Sequence, residues 1–209
     1  VSSNGILVSL LGAGATNSRL VWRDRAGNEL GVVSEESSYG EFDLSHDGRR
    51  VAVIEGGHTS DVWLHDIDRG TRTRFTFDPG DDRTPIWSPD DDRIAFMSAR
   101  QAVGEIYVKP VSGNEDPTLL YATGTNTVLA DWSSDGRWIL YQSLSLGENS
   151  WDLFAYDMVE SIQVPIATGP FVQVYPALSP DVRWIAYASS ESGRPEVYVQ
   201  PFPEGRGRW

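Results

Sequence analysis

Thr84-Pro-Ile-Trp-Ser-Pro-Asp-Asp-Asp-Arg-Ile-Ala-Phe96 reads as a strand, a tight turn and a second strand. The pattern recurs. Ser45-His-Asp-Gly-Arg-Arg-Val-Ala-Val53 precedes it, and Ser133-Ser-Asp-Gly-Arg-Trp-Ile-Leu-Tyr141 and Ser179-Pro-Asp-Val-Arg-Trp-Ile-Ala-Tyr187 follow. The serines stand at 45, 88, 133 and 179, so the steps are 43, 45 and 46 residues. A period of about 40–45 residues with four strands per unit is the mark of a β-propeller blade. The turn has a mechanical reason. Pro89 and Pro180 preset φ early in the turn, Asp bonds its own downstream backbone, and Gly48 and Gly136 accept a positive φ. Asp91 and Val182 replace that glycine in two copies. Asp tolerates the left-handed region and Val does not, so the 179–183 turn is expected either to change shape or to carry strain.

Outward from these turns the chain divides into blades at 1–34 (partial), 39–77, 84–122, 128–167 and 174–209 (partial). The expected fold is all-β, with four-stranded antiparallel blades, three complete and two partial. In the complete blades the strands are expected at Tyr39–Leu44, Arg50–Ile54, Asp61–Asp66 and Thr71–Phe77, then Thr84–Trp87, Arg93–Met97, Glu105–Val111 and Thr118–Ala122, then Val128–Trp132, Trp138–Gln142, Asp152–Tyr156 and Gln163–Ala167. The last unit has Val174–Leu178, Trp184–Ala188 and Glu196–Gln200, with an outer strand barely begun at Arg208-Trp209. In the first unit Ser2-Ser-Asn-Gly5 reads as a worn copy of the turn, and Ile6–Leu11 as a second strand. The third strands share a central ring: Trp22, Trp63, Tyr107, Phe154 and Tyr198. One large ring per blade at one phase of a period-two pattern is a packing stripe, not a ligand box.

The 209 residues are 40% hydrophobic and 22% charged, as in a soluble globular protein, and the repeat argues for one body. A net charge of −13 disfavours nucleic acid, where clustered Lys and Arg neutralise phosphates. It favours a basic partner or a cation. The absence of cysteine excludes disulfides, zinc–thiolate sites and cysteine nucleophiles. Residues 1–18 are uncharged and partly apolar, but lack a basic leader and a long apolar core, so a first strand plus a loop is the better reading than a signal peptide. No apolar run is long enough to span a bilayer. The start at Val1 and the end in mid-repeat read as a piece of a longer polypeptide.

No nucleophile elbow is present. His46 stands where two other copies have Pro, and is expected to face solvent. His65 occupies the third-strand position of Lys109 and Gln200. Neither these nor His58 suggests catalysis. Two acidic clusters, Asp78/Asp81/Asp82 and Asp90/Asp91/Asp92, are of the kind that can hold Ca²⁺ on a loop. The blade scheme puts them at opposite ends of one strand, and neither has a known calcium spacing. Solvated turn chemistry is the better reading, the first cluster being the weak calcium candidate. No cofactor is expected. Propellers bind at one mouth of the central channel, where first strands and their leading loops converge. Tyr39, Arg83, Asn126 and Tyr175 are the expected mouth residues, suited to a polar ligand or a peptide.

These repeats resemble the TolB-like propellers, often described as WD40-like repeats with a Pro-Asp turn. Leu20-Val-Trp-Arg-Asp-Arg-Ala-Gly-Asn-Glu-Leu-Gly31, Phe75-Thr-Phe-Asp-Pro79 and Arg194-Pro-Glu-Val-Tyr-Val-Gln-Pro-Phe-Pro203 are similar to the C-terminal region of bacterial eukaryotic-like serine/threonine protein kinases. That resemblance implies a sensory or docking module outside the membrane, in a ring of about six blades, preceded by a kinase domain and a membrane helix. Within this chain there is no Gly-rich loop before a Val-Ala-Ile-Lys strand, no His-Arg-Asp and no Asp-Phe-Gly, so it is expected to be non-catalytic. A protein or peptide partner is expected, without nucleic acid and without membrane insertion by this chain. The alternatives are a periplasmic TolB-like docking scaffold and the propeller cap of a prolyl-oligopeptidase-type serine peptidase. Incomplete end blades leave strand edges and sheet faces uncovered, so the chain alone is expected to self-associate or to be poorly stable.

Overall fold

The computed structural model describes residues 7–11 (as backbone), 18–56, 59–112, 115–145, 147 and 150–205. All regular structure among them is β, in five antiparallel sheets arranged in chain order. Blade 1 is β1 (Leu7–Leu11), β2 (Arg19–Arg23) and β3 (Glu29–Val32). Blade 2 is β4 (Tyr39–Leu44), β5 (Arg50–Gly56), β6 (Ser60–Asp66) and β7 (Thr71–Arg74). Blade 3 is β8 (Asp82–Trp87), β9 (Arg93–Ser98), β10 (Glu105–Pro110) and β11 (Thr118–Ala122). Blade 4 is β12 (Thr127–Trp132), β13 (Trp138–Leu144), β14 (Trp151–Asp157) and β15 (Ile162–Ala167). Blade 5 is β16 (Gln173–Leu178), β17 (Trp184–Ser189) and β18 (Glu196–Pro201).

Each expected strand within the described residues is present. The largest difference is in blade 2, where β7 stops at Arg74 instead of running to Phe77. There the Phe75 and Thr76 amides both donate to the Val62 carbonyl, which ends the ladder and drops the Phe75 ring into the core. The worn turn at residues 2–5, His58 and the Arg208-Trp209 start of an outer strand lie outside the described residues.

The four turns are built alike. The hydroxyls of Ser45, Ser88, Ser133 and Ser179 accept from the amides of Arg50, Arg93, Trp138 and Trp184 at 2.8–3.0 Å. Each hydroxyl also donates to the Asp two residues on, and that carboxylate accepts the amide two residues further along. The serine and aspartate thus satisfy the backbone of a turn whose serine is sealed from water in three copies. The 179–183 turn keeps the shape of the others, with the Val182 amide 2.9 Å from the Ser179 carbonyl. Val182 is held at φ +56° and Asp91 at +58°, so of the two outcomes expected for Val182, strain is the one found.

The core lies in the seams between blades. Ala52, Ile54, Val62 and Phe75 of blade 2 meet Trp87, Ile94, Phe96 and Tyr107 of blade 3. Ile86, Ala95 and Ile106 meet Leu129, Trp132, Ile139 and Tyr141 of blade 4. Trp138, Leu140 and Ala155 meet Ile185 and Phe202 of blade 5. A strand inside such a stack buries both faces, which is why β9 and β13 read as near-continuous apolar runs rather than as alternation. The third-strand rings stack on second-strand partners directly across the ladder: Phe96 with Tyr107, Tyr141 with Phe154 and Tyr187 with Tyr198, at 5.8–6.1 Å. No helix among the described residues is long and apolar enough to cross a membrane.

Candidate functional site

The first strands β4, β8, β12 and β16 share one irregularity. Their pairing with the second strand slips at Tyr39/Phe42, Arg83/Ile86, Leu129/Asp131 and Val174/Ala177. A bulge re-aims side chains and recurs at binding rims. Two of the four bulges hold a non-glycine residue at positive φ: Thr84 at +47° and Tyr175 at +58°. A neighbouring group fixes each. The Thr84 hydroxyl accepts the Leu129 amide of blade 4, and the Tyr175 amide donates to Gln142 at 3.0 Å.

The structure brings together two of the four expected mouth residues. Arg83 and Asn126 line one open cavity of about 340 Å³ with Glu41, Thr84 and Trp151. Both are exposed, and the Arg83 guanidinium lies 3.5 Å from Asp81. Tyr39 and Tyr175 are elsewhere. Counted back from the turn serines, Asn126, Tyr39, Arg83 and Tyr175 occupy four successive positions rather than one. Successive strand residues point to opposite faces, so the four do not converge. Tyr39 aligns with Asp82, Thr127 and Gln173, all buried, and packs edge-on against His65 with ring centroids 5.7 Å apart. Tyr175 is 79% exposed on blade 5.

The acidic loop before β8 has other employment. Asp78 accepts the Gly80 amide, Asp81 accepts the Ser60 amide at 2.9 Å, and Asp82 is buried and paired with Arg100 at 3.2 Å. Burial raises the Asp82 carboxyl above its ordinary range, against hydrogen bonds from Ser98 and Thr76 and the Arg100 charge. Among the described residues no group of three His, Asp or Glu side chains is arranged to hold a metal ion. Asp90, Asp91 and Asp92 lie beyond the other end of β8, as the blade scheme requires.

Sequence reasoning missed the opposite end of the first strands. Asp43, His46 and Asp131 line a small cavity of about 150 Å³ with Trp87 and Trp132. Asp43 accepts the Trp87 amide at 2.8 Å and the Leu44 amide at 2.9 Å, while Asp131 accepts the Leu178 amide at 2.9 Å. Burial pushes the Asp43 carboxyl up to about 6 and raises Asp131 as well. The signal was present: an acid two residues before the turn serine in two of the four first strands. His46 is exposed, as expected, and it also joins the seam. Its amide and that of Asp47 both donate to Asp91 of blade 3 at 2.7 and 2.9 Å, and its ring nitrogen lies 3.2 Å from the same carboxylate. Asp43, Asp91 and Asp131 each take an amide from an adjacent blade and so latch neighbouring blades.

Comparison with known proteins agrees with this architecture. The family model described as eukaryotic translation initiation factor eIF2A matches residues 20–157, about two thirds of the chain. The chain belongs to that family. This eIF2A-family propeller is 25% identical over 195 residues to the Tol-Pal system protein TolB of Wolinella succinogenes, covering 86% of the chain and 46% of that protein. It is 34% identical over 77 residues to tricorn protease homolog 1 of Streptomyces coelicolor, covering 37% of the chain and 7% of that protein. Its fold matches the crystal structure of TolB from Acinetobacter baumannii with a TM-score of 0.78 at 21% identity, covering 94% of the chain and 50% of that structure. The eIF2A-family chain thus has a TolB-like propeller fold and spans less than half the length of the curated relatives named here.

Proposed function

We propose that this propeller is a non-catalytic docking or sensing module, carried outside the membrane by a bacterial serine/threonine kinase, and that it binds a protein or peptide at the mouth lined by Arg83 and Asn126. The observation that carries the reading is the bulged start of the first strands. There a strained backbone at Thr84 is held by the next blade, beside an exposed guanidinium and an exposed amide. Backbone strain and bulges gather where side chains must be aimed at a ligand. The similarity to TolB, a protein named for the Tol-Pal system, supports a propeller that works by assembly. The kinase context rests on the sequence resemblance alone.

Two experiments test the two halves. The coding sequence around residues 1–209 should contain an upstream kinase domain and a membrane-spanning segment. A signal peptide alone would favour the docking scaffold, and a downstream α/β-hydrolase domain the peptidase cap. For the mouth, affinity-purified partners of the full protein should bind at least about tenfold more weakly when Arg83→Ala and Asn126→Ala are combined, with unchanged thermal stability. Unaltered binding by that double variant would remove the mouth from the reading.

A further inference from the structure

The mouth cavity of about 340 Å³ is lined by two unlike sets of side chains. One set is apolar. Met97, Val128 and Trp151 are half-buried, and Val103 is 50% exposed. The turn that carries Val103 is pinned. The Gly104 carbonyl accepts the amide and the hydroxyl of Thr123, at 2.9 and 3.0 Å. Gly104 is held at φ +76°, with no room for a Cβ against the Thr125 carbonyl. An apolar side chain presented on a fixed turn costs a ligand little ordering entropy.

The other set is charged and acidic in balance. Two carboxylates, Glu41 and Asp81, line the cavity with one guanidinium, Arg83. Asp81 accepts the Ser60 amide at 2.9 Å and lies 3.5 Å from Arg83. Glu41 is exposed, and among the described residues no cation or hydrogen-bond donor meets its carboxylate. It stands in the bulge of β4, four residues before the turn serine, where the other blades have Thr84, Leu129 and Tyr175. Among those four positions only blade 2 supplies a charge. Bulge residues are re-aimed relative to the regular ladder.

We propose that this mouth takes a basic segment of a partner protein. One large apolar side chain of that segment seats on Met97, Val103, Val128 and Trp151, and a Lys or Arg next to it pairs with Glu41. Arg83 and Asn126 then serve the segment's backbone, the guanidinium donating to carbonyls and the amide both donating and accepting. The volume is at the lower end of the ~300–1,000 Å³ usual for binding pockets, enough for one anchoring side chain. Met97 is unbranched and adapts to the shape of that anchor. The unpaired carboxylate and the net charge of −13 both favour a cation over an anion here. The proposal rests on the docking reading and names the chemistry of the segment that docks.

The test is to follow the Trp151 indole resonance of the 209-residue chain by NMR at low salt, with Trp151→Phe identifying the signal. The probes are the capped peptides Gly-Phe-Lys-Gly, Gly-Phe-Glu-Gly and Gly-Ala-Lys-Gly. Gly-Phe-Lys-Gly should shift Trp151 saturably in the millimolar range. It should bind at least about threefold more tightly than Gly-Phe-Glu-Gly, and about tenfold more tightly than Gly-Ala-Lys-Gly. Glu41→Gln should abolish the preference for Lys over Glu with an unchanged melting temperature. The proposal is overturned if Gly-Phe-Lys-Gly leaves Trp151 unmoved, if either comparator binds as tightly, or if Glu41→Gln keeps the preference. The docking reading is judged apart, by the combined Arg83→Ala and Asn126→Ala variant and the purified partners. Weakened partner binding without a Lys preference keeps the mouth and removes the basic segment, whereas unaltered partner binding removes both.

Discussion

Two residues at the same position of the repeat carry opposite consequences. Val182 and Asp91 both replace glycine at a positive φ. Val182 gains nothing from this conformation beyond partial packing on Ile185 and its neighbours. Val182→Gly should relieve about 1–2 kcal/mol of backbone strain, lose part of that in packing, and stabilise the chain by about 1 kcal/mol net. Asp91→Gly should relieve strain too, yet strip two amides of the preceding turn of their acceptor, for a net loss of about 1–2 kcal/mol. Urea denaturation of both variants reads the difference in sign. Arg100 is a third case. It pairs with Asp82, which is sealed from water, and lies over the Tyr107 ring at 4.3 Å. Arg100→Ala should cost about 3–5 kcal/mol, because it leaves a carboxylate buried without its cation. At this scale the sequence was only partly legible. The strain at Val182 could be read from its place in a Gly position, whereas the partner of Asp82 is 18 residues away and depends on how β8 and β9 register.

Individual strands explain what was easy to read and what was not. Period, turn chemistry and apolar runs locate strands, because each blade buries both faces and repeats its turn. They do not locate a rim. Tyr39 and Tyr175 stand an odd number of repeat positions from Arg83 and Asn126, so they point away from the cavity that Arg83 and Asn126 line. The acids near the other end of β4 and β12 stand out in the sequence, but their partners do not, since these include amides of the next blades. They make a pH prediction. The Asp43 carboxyl titrates near 6 in the fold against 3.8 for the free group. The folded state therefore holds more protons in that window, and stability falls as pH rises from about 4 to about 6. Allowing for partial solvent exposure, the loss is roughly 2 kcal/mol. Asp43→Asn should flatten this slope, measured as the midpoint of urea unfolding at several pH values. An unchanged slope in the variant would assign the effect to another group.

Across the whole molecule, blade 5 shows an apolar face. Trp184, Ala186 and Ala188 of β17 lie on the same side as Val197 and Val199 of β18. Val197 is 74% exposed and Trp184 36%. A sheet face of this kind in the isolated 209-residue chain should draw copies together. Light scattering should report a mass that rises with concentration, and Val197→Glu should lower it. A concentration-independent monomer with cooperative melting would contradict the expectation of self-association and of poor stability alike.

The seam bonds also set how the molecule comes apart under load. Asp43 grips Trp87, Asp91 grips His46, Thr84 grips Leu129 and Asp131 grips Leu178, and every one of these joins a blade only to the next. Among the described residues, tension applied at the two chain ends meets these fasteners one seam at a time. The propeller should therefore yield like a row of press studs, shedding one sheet at a time from an end, with the sheets still inside the row keeping their shape until their own turn arrives.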